Sequence, residues 1–542
     1  MPTTIALIGL SGSGKTTVGQ LLAQAIGWQY LDTDQLIEQT TQRTIADIFA
    51  HEGEVTFRQL EAQALQAALQ QPSTVIATGG GIVEAAANRE LLRHKAFIVW
   101  LHAPTNALVS RLSTADDRPL LAGDAALALE RMATRRTAFY AELAHWNVAT
   151  QHLTPTQATD EIIRAWTLLG TSHNEQELYV TTPGGSYAVR AGSGVLAELP
   201  GWLDRLQIRG RAWLISDTAV LSAHGEHVIT ALRKHGREVQ SYAFPNGEQH
   251  KTLETVRLVY DWLLASGVER GDVVLALGGG VVGDLAGFVA ATVLRGIALV
   301  QLPTTVLAMV DSAIGGKTGV DHAVGKNLIG AFHQPRLVLA DTSVLPTLSP
   351  NERAAGWAEA IKHGVIGDPA LFADLARYAQ DVLELREPRT GELIRRAAAH
   401  KVRVVSGDER EQGGRIMLNY GHTIGHAVEA ESGYTLRHGE AVAIGMMAAG
   451  SIAQRLGLFE AAELDEQRRV LQAFGLPTTI PATMNVDNIV RRISSDKKVR
   501  ASRVRWVLPT GIGNTVVRDD VPQELVVKVV QELCAPEDSA HH

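Results

Sequence analysis

Two glycine-rich turns, each placed after an apolar strand-like run, set the strongest limits on how this chain can fold. The first runs from Gly9 to Thr16 and the second from Gly278 to Asp284. A glycine turn between a strand and a helix lets backbone N–H groups approach a phosphate, and such turns are typical of parallel α/β sheets. We therefore expect two nucleotide sites, each in a separate α/β unit.

Length and composition limit the class of protein. At about 150 residues per domain, 542 residues predict three or four domains. The formal net charge of −8 disfavours binding to nucleic acid, which needs clustered Lys and Arg. The single cysteine, Cys534, fits a reducing compartment. Because no signal-peptide pattern and no apolar run of roughly 20 residues occur, we expect a cytoplasmic protein without a membrane partner.

The pattern of apolar residues divides the chain into three parts. Residues 1–170 alternate strand-like and helical patterns, which indicates a parallel α/β domain. The polar, breaker-rich segment 171–176 is predicted to be a linker. Residues 177–345 form a second α/β block, with strands expected at Ala212 to Ile215, Val273 to Leu277 and Ala298 to Leu302. Strand signals then become rare, so residues 346–542 are predicted to be mostly helical.

The first glycine turn matches a P-loop both in its residues and in its context between a strand and a helix. In such a loop the backbone N–H groups and the helix dipole favour the phosphates of ATP. Lys15 is expected to reach the outer phosphates, while the Thr16 hydroxyl faces Mg²⁺. The residues expected at ATP are Gly12, Ser13, Gly14, Lys15, Thr16 and Thr17.

Polar residues later in this domain are candidates for the metal and for the group that accepts the phosphate. Carboxylates beside a phosphoryl site bind Mg²⁺ or orient a hydroxyl, which points to Asp32 for the metal and Asp34 as hydroxyl acceptor and base. Taken singly, Arg58 and Arg136 are more often surface arginines, but arginine can bind a carboxylate through two parallel hydrogen bonds. Arg118 lies in a stretch whose composition suits a lid that closes over ATP.

With these residues, Met1 to about Gly170 resembles shikimate kinase, a P-loop kinase. The resemblance implies ATP- and Mg²⁺-dependent 3-phosphorylation of shikimate, with Arg118 binding ATP and acting in catalysis. It implies a shikimate site formed by Asp34, Arg58, Gly79, Gly80, Gly81 and Arg136. Gluconate-type kinases share the P-loop and are the alternative, which the Asp34, Arg58 and Arg136 set disfavours.

The second glycine turn departs from the G-x-G-x-x-G dinucleotide pattern, so the turn alone is a weak signal. Asp217, Glu248 and Lys251 are candidates for contact with an adenosine ribose, although isolated acidic residues after strands are more often helix caps. Residues 303–327 crowd charged side chains between apolar segments. Because charges are costly to bury alone, we expect a phosphorylated anionic ligand or a cofactor phosphate there.

Histidines in the helical part indicate a metal site. His422 and His426 are four residues apart on a predicted helix and share a face, and His438 and Glu359 are further candidates. Spacing alone would make both His422 and His426 ligands of Zn²⁺.

Residues from about Glu177 to Leu533 resemble 3-dehydroquinate synthase. The matching strings are Gly278 to Thr292, Pro303 to Asn327, Glu359 to His363, Arg415 to Glu429, His438 to Ala441 and Asp496 to Lys498. The resemblance implies a Rossmann-like nucleotide-binding half, a mostly α metal-binding half and an active site between them. It assigns Zn²⁺ (or Co²⁺) to Glu359, His422 and His438, and makes His426 a proton-transfer residue instead of a ligand.

The implied reaction is cyclisation of 3-deoxy-D-arabino-heptulosonate 7-phosphate to 3-dehydroquinate with phosphate release, in which NAD⁺ takes a hydride and later returns it. The residues implied at NAD⁺ are Asp217, Glu248, Lys251, Gly279, Gly280, Gly283, Asp284, Thr304, Thr305, Asp311, Lys317 and Lys326. Those implied at the substrate are Arg295, Lys317, Asn327, Lys362, Lys401, Arg415, Asn419 and one or both of Lys497 and Lys498. Of these, Arg415 is implied at the carboxylate, and Asp311, Lys317, Lys362, Lys401 and His426 are implied in catalysis.

Two alternatives remain for the second half, namely another sugar-phosphate cyclase and a metal-dependent alcohol dehydrogenase. A cyclase whose substrate has no carboxylate is disfavoured, because such an enzyme would not need the cation Arg415. The resemblance also implies a homodimer through the synthase half, in which Arg295 reaches the neighbouring subunit's pocket.

Overall fold

The structure is a computed structural model, and it describes residues 4–112, 125–151, 153–170, 177–182, 184–411, 413–495 and 504–534. Contacts divide the chain into two compact units. The first comprises residues 1–175, 179–187 and 205–207, and the second comprises residues 176–178, 188–204 and 208–542.

The first unit is built on a five-stranded parallel sheet. Its strands, in spatial order, are Gln29–Asp32, Thr74–Ala77, Thr4–Ile8, Phe97–His102 and Trp146–Ala149. Every residue of the central strand Thr4–Ile8 is buried, which explains why Ile5 to Ile8 form an unbroken apolar run instead of alternating with polar residues. The predicted parallel α/β sheet is confirmed here.

Helices cover this sheet, and their apolar residues complete the core. Leu92, Leu108 and Leu129, from three different helices, form one cluster with Ile98 and Trp100 of the sheet. The helices are Lys15–Ile26, Thr33–Thr41, Ile45–Ala68, Ala86–Lys95, Thr105–Leu112, Ala125–Leu143 and Pro155–Gly170.

A seven-stranded sheet forms the base of the second α/β block. Its strands, in spatial order, are Glu177–Thr182, Gly185–Gly192, Leu337–Asp341, Ala298–Pro303, Val273–Gly278, Ala212–Asp217 and Val239–Phe244. The pairs from Gly185–Gly192 onwards are parallel. Leu285 and Val289 of the helix after the second glycine turn pack against Val274 and Ala276 of this sheet, so that helix is anchored to the strand that precedes it.

This block also contains helices and one antiparallel hairpin. The α-helices of four residues or more among the described residues are Leu199–Arg205, Glu226–Lys234, Leu253–Ala265 and Gly280–Thr292, with wide π turns at Leu221–Gly225 and Ala308–Ser312. The hairpin pairs Lys317–His322 with Gly325–Phe332 and carries much of the polar stretch that the sequence singled out.

The rest of the second unit is mostly helical, as predicted. Its helices are Pro350–Gly367, Pro369–Leu383, Arg389–Gly407, His422–Glu431, His438–Arg455, Ala461–Ala473, Val486–Ser495 and Gln523–Leu533. Ser349 and Glu352 form a capping box that starts the first of these helices. A small hairpin, Trp506–Gly511 with Asn514–Arg518, was not expected from the sequence. Among the helices of the described residues, none combines the length and the apolar character needed to span a bilayer.

Candidate active sites

The first glycine turn has the conformation that a P-loop requires. Gly12 and Gly14 adopt positive φ angles of 80° and 95°, which glycine tolerates best, and the helix begins directly afterwards at Lys15. The Lys15 ammonium donates to the carbonyls of Gly9, at 2.9 Å, and Leu10, at 3.0 Å. Thr16 and Thr17 are exposed at the helix start. The turn therefore presents a cation and first-turn N–H groups together, as anion binding needs.

Asp32 lies beside this turn at the end of a parallel strand. The Thr16 hydroxyl is 3.4 Å from Asp32 Oδ2, and the Tyr30 hydroxyl donates to the same oxygen at 3.1 Å. Asp32 Oδ1 accepts from the Asp34 N–H at 3.0 Å and caps the helix Thr33–Thr41. A hydroxyl and a carboxylate at the phosphate end of the loop form a donor set that fits Mg²⁺.

The predicted acceptor residues converge on Gly79, Gly80 and Gly81. A side chain at Gly79 would lie 2.8 Å from Asp34 Oδ1, and one at Gly80 would lie 3.5 Å from Arg136 Nη1. At Gly81 an added Cβ would overlap the Arg58 guanidinium. These glycines are therefore needed for space, since the groups of the candidate site occupy the volume that side chains would fill.

Glu61 belongs to this cluster, although the sequence reasoning missed it. It is buried, its carboxylate accepts from Arg58 at 2.8 Å, and a side chain at Gly79 would lie 2.7 Å from it. Burial raises the pKa of Glu61, while Arg58 opposes that rise. Arg136 is buried as well and pairs with Glu84 at 2.6 Å. Each arginine is thus held by a carboxylate that fixes its guanidinium.

In the second unit the glycine turn lies between the strand Val273–Gly278 and the helix Gly280–Thr292. Lys251, which is buried, donates to Asp284 Oδ2 and to Asn327 Oδ1, both at 2.6 Å. Glu248 Oε1 lies 3.8 Å from the ammonium groups of both Lys251 and Lys326. These residues, distant in sequence, therefore form one charged cluster beside the turn.

The other predicted nucleotide residues lie around the same strand ends. A Cβ at Gly279 would lie 3.1 Å from Thr305, one at Gly280 would lie 3.2 Å from Ser312, and one at Gly283 would lie 2.9 Å from Gln301. Thr304 is buried at the end of its strand. The Asp217 carboxylate accepts from the N–H groups of Ala219 and Val220, so it acts as a helix cap in this structure.

A cleft of about 480 Å³ joins this cluster to the predicted substrate residues. Asp284 and Asn327 line it from the nucleotide side. The lining also includes Asp311, Lys317, Lys401 and Arg415. Arg415 is buried and held by the Glu409 carbonyl at 2.6 Å, whereas Lys317 is half-exposed and pairs with Glu411.

A row of alternating charges leads from the cleft to the candidate metal ligands. Lys401 Nζ is 2.7 Å from Asp311 Oδ1, and Lys362 Nζ is 3.9 Å from the same oxygen and also pairs with Glu359. Burial would raise the pKa of Asp311, yet Lys401 and Lys362 hold it well below its ordinary value. Burial lowers the pKa of Lys401 to about 8, against the attraction of Asp311.

Glu359, His422 and His438 lie together at the end of this row. Glu359 Oε1 is 3.6 Å from His422 Nε2 and 3.4 Å from His438 Nε2. His422 Nδ1 donates to the Tyr420 carbonyl at 3.0 Å, and His438 Nδ1 lies 3.2 Å from Glu429 Oε2. Both rings therefore present Nε2 to the buried carboxylate. One carboxylate and two imidazoles, each fixed through its other nitrogen, form a donor set that suits Zn²⁺ or Co²⁺.

His426 also joins this group, because the ligand atoms of His422, His426 and His438 lie within 4.8 Å of one another. The site thus brings together the pair suggested by spacing and the set implied by the family resemblance. Glu429, next to His438, was missed. Its position on the helix His422–Glu431, seven residues after His422 and three after His426, places it on their face and was the available signal.

Some predicted site residues do not contact these clusters in the structure, and others lie outside the described residues. Arg295 is exposed on a tight turn with φ of 69°, and among the described residues no hydrogen bond of its side chain reaches the cleft. Asn419 ends the short turn Gly414–Asn419 that leads to His422. Arg118, Lys497 and Lys498 lie outside the described residues.

The fold and the two sites define a P-loop kinase domain joined to a sugar-phosphate cyclase with a Rossmann-like sheet and a helical part. Family models match in the same order: shikimate kinase at residues 11–167, the 3-dehydroquinate synthase N-terminal domain at 241–355 and its C-terminal domain at 356–499. The chain belongs to the 3-dehydroquinate synthase family and carries a shikimate kinase domain before it.

Individual relatives agree. A 3-dehydroquinate synthase of Rippkaea orientalis is 47% identical over 354 residues, which cover 65% of this chain and 97% of the relative. One of Nostoc punctiforme is 48% identical over 357 residues, covering 65% and 98%. A solved structure of 2-epi-5-epi-valiolone synthase from Streptomyces hygroscopicus subsp. jinggangensis, with NAD⁺ and Zn²⁺ bound, is 31% identical with a TM-score of 0.60, covering 64% of this chain and 96% of that one.

Proposed function

We propose that this chain catalyses two reactions at separate sites. The first unit phosphorylates shikimate at its 3-hydroxyl with ATP and Mg²⁺. The second converts 3-deoxy-D-arabino-heptulosonate 7-phosphate to 3-dehydroquinate and phosphate with NAD⁺ and Zn²⁺ or Co²⁺. The observation that carries the second assignment is the convergence of Glu359, His422 and His438 beside a cleft lined by Arg415 and Lys401. The domain limits 1–170, 177–345 and 346–542, with a linker at 171–176, are part of this proposal.

In the kinase site, Gly12 to Thr17 bind the phosphates, and Thr16 with Asp32 holds Mg²⁺. Asp34 accepts the proton of the attacking hydroxyl, since its carboxylate faces the glycines that leave room for a ring. Arg58 and Arg136 bind the shikimate carboxylate, and Arg118 closes over ATP.

In the synthase site, different members of the charged cluster bind different groups of the substrate. Arg415 binds the carboxylate, Asp311 and Lys401 bind a hydroxyl, and Lys362 holds Glu359 in place. The phosphate is bound by Lys317, Asn327, Asn419, Arg295 and one or both of Lys497 and Lys498. His426 takes up the proton released when a substrate hydroxyl is oxidised. When bound, a divalent cation would lower the pKa of the substrate hydroxyls, and NAD⁺ would accept and return a hydride.

The nucleotide is held by the glycine turn and the charged cluster beside it. Gly279, Gly280 and Gly283 give the pyrophosphate access to the main chain. Asp217, Glu248 and Lys251 bind the adenosine ribose. The remaining contacts are expected from Asp284, Thr304, Thr305, Asp311, Lys317 and Lys326.

We also infer a homodimer through the synthase half and a cytoplasmic location. The homodimer rests on the family resemblance, because two of the exposed apolar residues of the hairpin, Leu328 and Phe332, line the cleft. A single cysteine supports a reducing compartment.

An assay with a catalytic amount of NAD⁺ tests the synthase assignment. The purified chain, supplied with Zn²⁺ and heptulosonate phosphate, should release phosphate in many-fold excess over NAD⁺ without lasting NADH absorbance. An alcohol dehydrogenase would instead accumulate NADH in proportion to product. Phosphate release limited to the amount of NAD⁺ would contradict the proposal.

Replacing Gly81 with alanine tests the acceptor site. The added methyl group would overlap the Arg58 guanidinium and displace it from the carboxylate it is proposed to bind. We expect KM for shikimate to rise on the order of tenfold or more, with little change in KM for ATP, because small displacements of a clamp are costly. Gly201→Ala is the control, since nothing lies within 4 Å of a Cβ there. An unchanged KM for shikimate would argue against Arg58 as the carboxylate ligand.

A further inference from the structure

Glu429 lies between the proposed metal ligands and the proposed nucleotide residues. It is buried on the helix His422–Glu431, and its two oxygens face different partners. Oε2 lies 3.2 Å from His438 Nδ1, and Oε1 accepts from Lys326 Nζ at 2.9 Å. One carboxylate therefore contacts a residue of each site.

The contact with His438 fixes the orientation of its ring. With Nδ1 against Glu429, the ring presents Nε2 to Glu359 Oε1 at 3.4 Å. A carboxylate on the outer nitrogen of a ligating histidine sets the tautomer and strengthens the ligand. Glu429 does not reach the other candidate ligands in this way, because His422 is held instead by the Tyr420 carbonyl.

The contact with Lys326 connects Glu429 to the nucleotide side. Lys326 lies on the hairpin strand Gly325–Phe332, and its ammonium is shared by two carboxylates, Glu429 at 2.9 Å and Glu248 at 3.8 Å. It also lies 4.2 Å from the centre of the Tyr434 ring. The Lys326 side chain keeps about 30% of its surface exposed, so a bound ligand can reach it.

We propose that Glu429 is a positioning residue that couples the two sites, so that NAD⁺ bound at Lys326 and Glu248 strengthens the binding of Zn²⁺ by Glu359, His422 and His438. This inference rests on the metal and nucleotide sites of the proposed function. NAD⁺ contacts Lys326 and engages Glu248, so that Glu248 no longer competes with Glu429 for the Lys326 ammonium. Glu429, as the remaining carboxylate partner of Lys326, then holds the His438 ring ready for the cation. Because NAD⁺ binding already orders Glu429 and the His438 ring, Zn²⁺ binding does not bear the entropy cost of ordering them. Each ligand therefore favours binding of the other.

Such coupling is reciprocal and can be measured as binding. With the full chain, the Zn²⁺ dissociation constant is determined by competition with a chromophoric chelator, with and without saturating NAD⁺. The NAD⁺ dissociation constant is determined with and without Zn²⁺. For the wild type we expect each ligand to tighten the other by the same factor, on the order of tenfold. The visible absorption of bound Co²⁺ should also change when NAD⁺ is added.

Two variants separate positioning from folding. Glu429→Gln should weaken Zn²⁺ binding by about 10–100-fold, as loss of a partner of a metal ligand does, and should reduce the coupling factor to about one. Lys326→Met should keep Zn²⁺ affinity without NAD⁺ within a few-fold of wild type, yet also lose the coupling when NAD⁺ is saturating. Glu431→Gln is the matched control, because it removes a carboxylate from the same helix that pairs with Asn488 and Arg492 instead. It should retain the wild-type factor.

The results distinguish failure of the inference from failure of the proposed function. If the wild type binds Zn²⁺ and NAD⁺ and releases phosphate, but neither ligand changes the dissociation constant of the other, the proposed coupling is wrong. The proposed metal and NAD⁺ sites are then retained. A coupling factor in Lys326→Met equal to that of the wild type would also contradict the proposed coupling. If circular dichroism shows that Glu429→Gln does not fold, the result for Lys326→Met is the test of the proposal. If the wild type binds neither ligand, both the proposed function and the inference are wrong.

Discussion

Replacing His422 with alanine should abolish phosphate release from heptulosonate phosphate while leaving shikimate phosphorylation unchanged. His422 presents Nε2 to Glu359 at 3.6 Å, and its Nδ1 donates to the Tyr420 carbonyl, which fixes the ring. Loss of a partner behind a metal ligand costs about 10–100-fold, so loss of the ligand itself should cost more than ~100-fold. Both activities are measured on the same preparation.

Metal removal provides the companion result. Dialysis of the wild type against a chelator should eliminate synthase activity, and Zn²⁺ or Co²⁺ should restore it, whereas neither ion should restore His422→Ala. The kinase is assayed with Mg²⁺ in excess.

The control for His422→Ala is His235→Ala, which alters an exposed histidine in the same unit that is hydrogen-bonded to the Ala231 carbonyl. Its synthase activity should match the wild type. Synthase activity in His422→Ala within a few-fold of wild type would show that His422 is not a metal ligand.

Replacing Asp34 with asparagine should have the opposite selectivity and lower the kinase turnover number by about 10²–10⁴-fold, the usual contribution of a positioned base. The change keeps the size of the side chain but removes the proton acceptor beside Gly79. Synthase activity and ATP affinity should remain, since Lys15 and the glycine turn are untouched. Turnover is measured with saturating shikimate and ATP.

Asp160→Asn serves as the control for this variant. Asp160 is an exposed aspartate on the helix Pro155–Gly170 of the same unit, so its replacement makes the same chemical change outside the predicted acceptor residues. It should leave kinase turnover at the wild-type value. Retention of full turnover by Asp34→Asn would assign the role of base to another group.

The P-loop could be predicted completely from sequence because all of its parts are contiguous. Strand, turn and helix occupy residues 4–26, and the glycines at 12 and 14 adopt the positive φ angles that their positions suggest. The parallel sheets were equally accessible, since strands buried on both faces, such as Thr4–Ile8, leave an unbroken apolar run.

The metal centre was harder to predict, because its members come from three helices. Helical spacing identifies His422 and His426, which share one helix, but it cannot connect them to Glu359 or His438. The residue pattern offered Glu359 and His438 only as further candidates, and the family resemblance selected Glu359, His422 and His438 as the set of ligands. Glu61 was missed because a single glutamate does not reveal its pairing with Arg58. Glu429 was missed because helical spacing places it near His422 and His426, whereas its partners Lys326 and His438 lie on other elements.

The alternation of ammonium and carboxylate groups from Lys401 through Asp311 and Lys362 to Glu359 has a consequence for mutagenesis. Each of these groups offsets its neighbours, so deleting one leaves a largely buried ion without its partner and costs stability as well as activity. Isosteric exchanges made in oppositely charged pairs, such as Lys401→Met with Asp311→Asn, preserve neutrality. Comparing such pairs with the single changes separates what a charge does for the substrate from what it does for its neighbour.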